Sequence, residues 1–315
     1  MSRRSIVLPV AAAATVAVVA LSGCSTSSGG SAGGSGSGPA GGGQVVQAAA
    51  SINAWGSILS QLGGSHVKTT SIITNPDTDP HAYEPTPADG RTIASAKLFV
   101  ENGIGYDPWA DKAVQANPDP GRTVLDVGQL TGTPNGGNPH RWYSPTDVAK
   151  VADGITADLT KADPGDAGYF DAKRTTFENT GLARYHQLID EIKTRYAGTP
   201  VGASESIFAP LSGALGLDLI TPPGFLKAIS EGTDPSAADK ATIDGQISGK
   251  KIKVYVFNSQ NSTPDVAAQV AAAKKQGIPV AAVTETLSPA GTSFQDWQSA
   301  QLQTLKAALA QATGT

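Results

Sequence analysis

Two histidines in this chain each follow a proline. His81 lies in Asp79-Pro80-His81-Ala82-Tyr83-Glu84-Pro85, and His140 lies in Asn138-Pro139-His140-Arg141-Trp142. The whole sequence contains only four histidines, so a repeated Pro-His pair stands out. Proline fixes φ and bars continuation of a helix, which places each imidazole on a stiff loop. An imidazole held that way can ligate a metal or carry a proton, and an incidental surface histidine is the plain alternative. Two carboxylates sit in comparable places. Glu205, in Gly202-Ala203-Ser204-Glu205-Ser206, and Glu285, in Val283-Thr284-Glu285-Thr286-Leu287, each follow a short apolar run of strand type. Glu205 equally suits a negative charge at the start of a helix. Two imidazoles with two carboxylates form a donor set for a divalent transition metal. His66, behind Gly63-Gly64-Ser65, and His186, inside a helical stretch, sit apart from this pattern and are read as non-ligands.

Such residues must be aimed by regular elements, and the chain supplies them in alternation. Val45–Ser51, His66–Ile73, Lys97–Glu101 and Arg122–Val127 read as strands, with helices predicted over Asn53–Leu62, Asp89–Ala96 and Trp109–Gln115. From Ser144 to Tyr196 the pattern is almost continuously helical, broken at Pro164-Gly165, with Gly181 a weak point. Alternation then resumes. Strands are expected at Pro200–Ala203, Leu217–Thr221, Ile252–Phe257 and Pro279–Val283, and helices at Ile207–Leu215, Asp234–Ser248, Pro264–Gln276 and Ser293–Ala310. Strands alternating with helices specify parallel βα units. The fold class is therefore α/β, with two lobes, each a parallel-type sheet flanked by helices, bridged by one long rigid helix. Ligands of open α/β sheets bind at the carboxyl ends of the strands, so two facing lobes make a cleft.

The amino-terminal segment lies outside that fold. Arg3 and Arg4 precede the apolar run Ile6–Leu21, which is too short for a confident membrane span. The run ends at Leu21-Ser22-Gly23-Cys24, which resembles the lipobox of bacterial lipoproteins. That resemblance implies cleavage before Cys24 and lipid on the sulfur. Ser25–Gly43 is nearly all Ser, Gly and Ala and has no apolar face to bury, as expected of a flexible tether. Cys24 is the only cysteine, so the folded part has no disulfide and depends on its core. About 270 residues suffice for one large domain or two lobes. A net charge of −4 without any Lys/Arg run argues against a nucleic-acid partner. The boundaries read as a signal peptide over 1–23, a lipidated cysteine and tether over 24–43, an N-terminal lobe over 44–164, a linker helix over 165–197 and a C-terminal lobe over 198–315.

Taken in order, Ser51-Ile52-Asn53-Ala54-Trp55, the Asp79–Pro85 segment, Glu101-Asn102-Gly103-Ile104-Gly105-Tyr106-Asp107-Pro108-Trp109, Asn138–Trp142 and the run up to Glu285 resemble the cluster A-I solute-binding proteins of bacterial zinc and manganese ABC transporters. The resemblance covers nearly the whole chain after the tether. It implies two α/β lobes joined by a rigid helix, with one Mn²⁺ or Zn²⁺ ion per chain held between them. By the same resemblance His81 and His140 are ligands from the first lobe, and Glu205 is the third ligand. The family's usual aspartate falls on Ser288. Glu285, three residues earlier on the same loop, is the substitute expected here, with a water in the fourth position as the alternative. Asp79 and Glu84 read as turn and supporting residues.

The resemblance further implies an extracytoplasmic, lipid-anchored monomer that hands metal to an ABC permease. Carboxylates suit Mn²⁺, whereas intrinsic affinity favours Zn²⁺. The segment 128–138 lacks the His-rich loop of many zinc importers in the family, which tilts the reading towards manganese. The competing reading is a metallohydrolase with an open His/His/Glu zinc site. The chain has neither an H-E-x-x-H nor a G-x-S-x-G motif to support it. A surface adhesin draws support from the lipid anchor alone.

Overall fold

The computed structural model describes residues 45–75, 78 and 83–314. The first half builds a four-stranded sheet from β1 (Val46–Ile52), β2 (Val67–Ile73), β3 (Leu98–Glu101) and β4 (Thr123–Asp126), all parallel, in the order β2-β1-β3-β4. The second half repeats the plan with β5 (Pro200–Ala203), β6 (Asp218–Leu219), β7 (Val254–Asn258) and β8 (Val280–Val283), ordered β6-β5-β7-β8. In each sheet the strand order reverses at the first strand. That reversal opens a crevice at the carboxyl ends, between β1 and β3 and between β5 and β7. The central strands β1 and β3 are buried on both faces, as is usual in parallel sheets, and accordingly read as nearly unbroken small or apolar runs.

The helices follow from local sequence. In α1 (Asn53–Gly63), Trp55, Ile58, Leu59 and Leu62 recur at helical spacing and are all buried. Proline opens α2 (Pro87–Ser95), α3 (Pro108–Ala116), α5 (Pro145–Ala162) and α11 (Pro264–Lys275) at a position where its missing N–H is not needed. A short α4 (Val127–Thr131) follows β4, and α8 (Ala209–Ala214) and α10 (Ala237–Ser248) flank the second sheet. The sequence reading places no helix between Leu217 and Asp234, whereas the structure forms α9 there, at Pro223–Ser230. Pro222-Pro223-Gly224 looks like a break, yet the second proline starts the helix.

The connection between the lobes is subtler than one uniform rod. It comprises α6 (Ala167–Thr176), a π-helical turn at Phe177–Gly181, and α7 (Ala183–Tyr196). The Leu182 N–H reaches back to the Phe177 carbonyl at 2.8 Å, the five-residue step of a π turn. The last helix, α12 (Phe294–Thr313), packs on both α7 and β8 and closes the second lobe over this linker. One continuous hydrophobic core runs through both lobes, from Val46 to Leu309, and a smaller cluster around Phe225, Ile247 and Tyr255 fills the outer side of the second lobe. Aromatic rings carry the shared core across the junction. Trp55 meets Trp142 edge-on at 6.2 Å, Trp142 leads through Tyr143 to Trp297 (5.8 Å), and Trp297 through Phe294 to Tyr185 on the linker.

One loop deserves description because it faces the second lobe. Beyond Glu101, the Asp107 carboxylate accepts the N–H groups of Asn102 and Gly103, both at 2.8 Å, and locks the turn. Gly103 has φ +66°, and a Cβ there would fall 2.3 Å from Asp126 Oδ1, so only glycine fits. Ile104 also adopts a positive φ of 62°, uncommon for a β-branched residue. Asn102 accepts from Trp55 Nε1 (2.9 Å) and donates to the Pro139 carbonyl (3.0 Å), tying this turn to the loop that carries His140.

Glu101 beneath the turn is only 5% exposed. Burial, and then the negative charges of Asp111, Asp107 and Asp126, push its pKa from an ordinary 4.5 up to about 8. A carboxyl that stays neutral when folded and ionises when unfolded withholds stability as pH rises between those two values. Urea unfolding of the parent and Glu101→Gln at pH 4.5 and pH 8 tests this. The glutamine variant gains on the parent by roughly 3–5 kcal/mol at the higher pH and by little at the lower. An equal difference at both pH values contradicts the assignment.

Candidate metal centre

Three of the four predicted ligands fall among the described residues, and each is buried on a loop at the junction of the lobes. His140 stands in the loop before α5 and is fully buried. Glu205 lies two residues beyond β5, in extended backbone, and is 1% exposed. Glu285 lies two residues beyond β8 and is 3% exposed. His140 Nε2 faces Glu285 Oε1 at 3.3 Å across the junction of the lobes. His81 and Cys24 lie outside the described residues. Among the described residues no three His, Cys, Asp or Glu side chains are gathered closely enough to enclose an ion by themselves.

Ser288, where the family's usual aspartate would stand, is exposed on the loop that contains the cis Ser288–Pro289 peptide. Glu285 instead turns inwards from the same loop. Of the other histidines, His66 pairs with Asp166 and stacks on Tyr169 at 3.9 Å. His186 is half-buried beside Glu178 on the linker. Neither joins the group.

Several residues that the sequence reading passed over hold the carboxylates in place. Asn258, the last residue of β7, donates to Glu285 Oε1 at 3.0 Å. Tyr106, on the turn after β3, donates its hydroxyl to Glu285 Oε2 at 3.2 Å from the opposite lobe. Asn261 donates to Glu205 Oε2 (3.1 Å) and to the Ile229 carbonyl in α9 (3.1 Å). Asn138 accepts from the backbone N–H of His140 at 3.0 Å and lies 2.8 Å from its Nδ1. Asn258 and Asn261 carried a signal: polar amides at and just past the carboxyl end of a switch-point strand, where ligands bind.

Burial and charge set the protonation of this group. Desolvation drives the His140 pKa down to about 4, with a smaller opposing pull from the Glu205 charge, so the imidazole is neutral at physiological pH. Desolvation, reinforced by repulsion from Glu285, raises Glu205 to about 7. Among the described residues no lysine or arginine pairs with Glu205, and its Oε1 finds no hydrogen-bond donor. A neutral imidazole nitrogen and two buried carboxylates, one with an unsatisfied oxygen, are what a hard-to-borderline dication requires. They also oppose folding until such a charge arrives.

That opposition makes a prediction about the metal-free protein. At pH 8, Glu205→Gln removes one of two neighbouring buried charges, so the chelator-treated variant melts a few degrees above the chelator-treated parent, for roughly 1–3 kcal/mol. Saturating Zn²⁺ then stabilises the parent far more than the variant. A metal-free variant that melts lower than the parent contradicts this account of the site.

The comparisons with known proteins agree with one another. The family model described as zinc-uptake complex component A, periplasmic (ZnuA), matches residues 49–308. The manganese-binding lipoprotein MntA of Halalkalibacterium halodurans is 27% identical over 143 residues, 43% of this chain and 46% of that protein. The zinc-binding lipoprotein AdcA of Streptococcus pneumoniae R6 is 24% identical over 262 residues, 75% of this chain and 50% of that protein. The chain thus spans about half the length of the curated relatives it matches. Among solved structures, the Cd-bound periplasmic metal binding protein from Candidatus Liberibacter asiaticus superposes with a TM-score of 0.70 at 19% identity, covering 84% of this chain and 99% of that one. A crystal structure of ZnuA gives 0.66 at 22% identity, covering 84% and 98%. These likenesses establish the two-lobed fold anticipated from the alternating elements. With most of its folded part matched by the family model, the chain belongs to the family of periplasmic zinc-uptake components A.

Proposed function

We propose that this chain is an extracytoplasmic receptor that captures one divalent transition metal, Mn²⁺ or Zn²⁺, between its lobes and delivers it to an ABC permease. The observation that carries the reading is the burial of His140, Glu205 and Glu285 on loops at the junction of the lobes, with no lysine or arginine paired with Glu205 among the described residues. His81 completes the ligand set in this proposal. Burial of the three described side chains favours capture over turnover, because a hydrolytic metal needs a coordination position open to substrate and water. Relatives named for manganese and for zinc agree with the metal class and leave the choice between the two to measurement.

Several further elements belong to the same proposal. Residues 44–164 and 198–315 act as the two metal-binding lobes around the linker helix 165–197. Lipid on Cys24, following removal of residues 1–23, tethers a monomeric receptor to the outer face of the cell membrane through the 24–43 segment. No described helix is long and apolar enough to cross a membrane, so nothing in the folded part competes with that anchor. The shared aromatic core between the lobes supports small loop displacements on metal exchange rather than a wide hinge.

Calorimetric competition with a chelator of known affinity tests the ligand set. His140→Ala, Glu205→Ala and His81→Ala each weaken Zn²⁺ and Mn²⁺ binding by more than ~100-fold, more than the loss of a supporting residue around a metal site produces. Glu285→Ala weakens it as well, whereas Ser288→Ala matches the parent. Parental affinity in both His140→Ala and Glu205→Ala overturns the proposal.

A further inference from the structure

Asn138 makes contacts that no ligand assignment requires. Its side-chain Nδ2 donates to the Ser206 carbonyl in the second lobe at 2.7 Å. Its Oδ1 accepts from the His140 backbone N–H at 3.0 Å and stands 2.8 Å from His140 Nδ1. The amide cannot be turned over. A carbonyl only accepts and a backbone N–H only donates, so the nitrogen must face Ser206 and the oxygen must face His140. Since Oδ1 cannot donate, Nδ1 must carry the imidazole proton. The Ser206 hydroxyl, 3.4 Å from Nδ1, gives its own proton to Ser230 Oγ at 2.9 Å and is therefore consistent with the same assignment. The lone pair of the neutral ring is then on Nε2, the atom turned towards Glu285.

We infer that Asn138 is a positioning residue that couples a local contact between the lobes to metal binding, one planar amide fixing the His140 tautomer while it grips the backbone beside Glu205. This inference rests on the metal-receptor reading and deepens it. Other bonds between the lobes do not join a ring proton to the opposite backbone. Tyr143 OH meets the Thr284 carbonyl (2.9 Å), the Leu287 N–H meets Asn53 (3.2 Å), and the Phe294 N–H meets Ser57 (2.9 Å). Asn138 spans from the second-lobe residue after one candidate ligand to the imidazole of another. If the lobes part here, the amide loses its Ser206 acceptor, its orientation relaxes, and the Nδ1–H tautomer loses its support. Asn138 also lines a cavity of about 290 Å³ with Tyr106, Gly137, Pro139, Ser206 and Ser230, so its grip forms part of the wall of a pocket shared by both lobes.

Three variants separate the roles. In the metal-free parent, long-range ¹H–¹⁵N correlation spectra show His140 as the Nδ1–H tautomer. In Asn138→Ala the tautomer becomes mixed, Zn²⁺ affinity falls by 10–100-fold, and release to a chelator accelerates. Asn138→Asp still accepts from Nδ1–H but cannot donate to Ser206. It therefore keeps the tautomer, yet releases Zn²⁺ at least ten times faster than the parent. An Asn138→Ala protein with parental tautomer and parental release overturns the inference, as does an Asn138→Asp protein that releases at the parental rate. His140→Ala provides the separate control. If it binds Zn²⁺ as the parent does, the receptor reading itself fails. If it loses Zn²⁺ while both Asn138 variants behave as the parent, only the coupling fails.

Discussion

Two carboxylates and a neutral imidazole are buried together where the lobes meet, and the rest of the molecule is arranged around that unfavourable placement. A buried carboxylate without a cation costs several kcal/mol, and a second one nearby adds repulsion. The raised pKa of Glu205 expresses that cost. Buried charges of this kind cluster at functional sites, and in the proposed function the charge received there is a divalent metal, which carboxylate oxygens and an imidazole nitrogen suit. Folding and binding are thereby linked, because an ion that joins only the folded chain returns the stability that the empty site withholds.

The scaffold sustains this by putting the charged groups on short loops at the carboxyl ends of stiff strands. Glu205 and Glu285 are each two residues beyond a parallel strand, and Asn258 and Asn261 supply amide donors from the end of a third strand and the loop after it. The first lobe answers with His140 and Tyr106, whose loops are tied to each other through Asn102. Behind them the aromatic series from Trp55 to Tyr185 makes the two lobes share a core. A junction packed in this way has little freedom to gape, and in the proposed receptor an ion exchanges through local bonds such as those of Tyr106 and Asn138. The π turn in the linker adds a place where the connecting helix departs from ideal winding without a proline.

Much of this was legible in the sequence, for identifiable reasons. Parallel βα units announce themselves by alternation, and Pro200–Ala203 was bounded to the residue because a glycine turn and a polar loop flank it. His140 and Glu205 stood out through a preceding proline and a preceding strand. The choice between Glu285 and Ser288 turns on the direction of one loop, and the structure exposes the serine and buries the glutamate. The α9 helix was missed because paired prolines and a glycine look like a break, although proline at a helix start is favourable. Tyr106 and Asn138 stand in the quoted motifs without a role, because neutral donors acquire meaning only through the partner that tertiary structure brings to them. The continuous core between the lobes was likewise beyond any local pattern.

The central claim is that a metal sits where these side chains converge. Crystals of the chelator-treated protein loaded with one equivalent of Zn²⁺, measured above and below the zinc absorption edge, test it most directly. The account predicts a single strong anomalous peak within bonding distance of His140 Nε2 and of the Glu205 and Glu285 carboxylates. A protein whose only anomalous peaks lie elsewhere, for example beside His66 or His186, would contradict it.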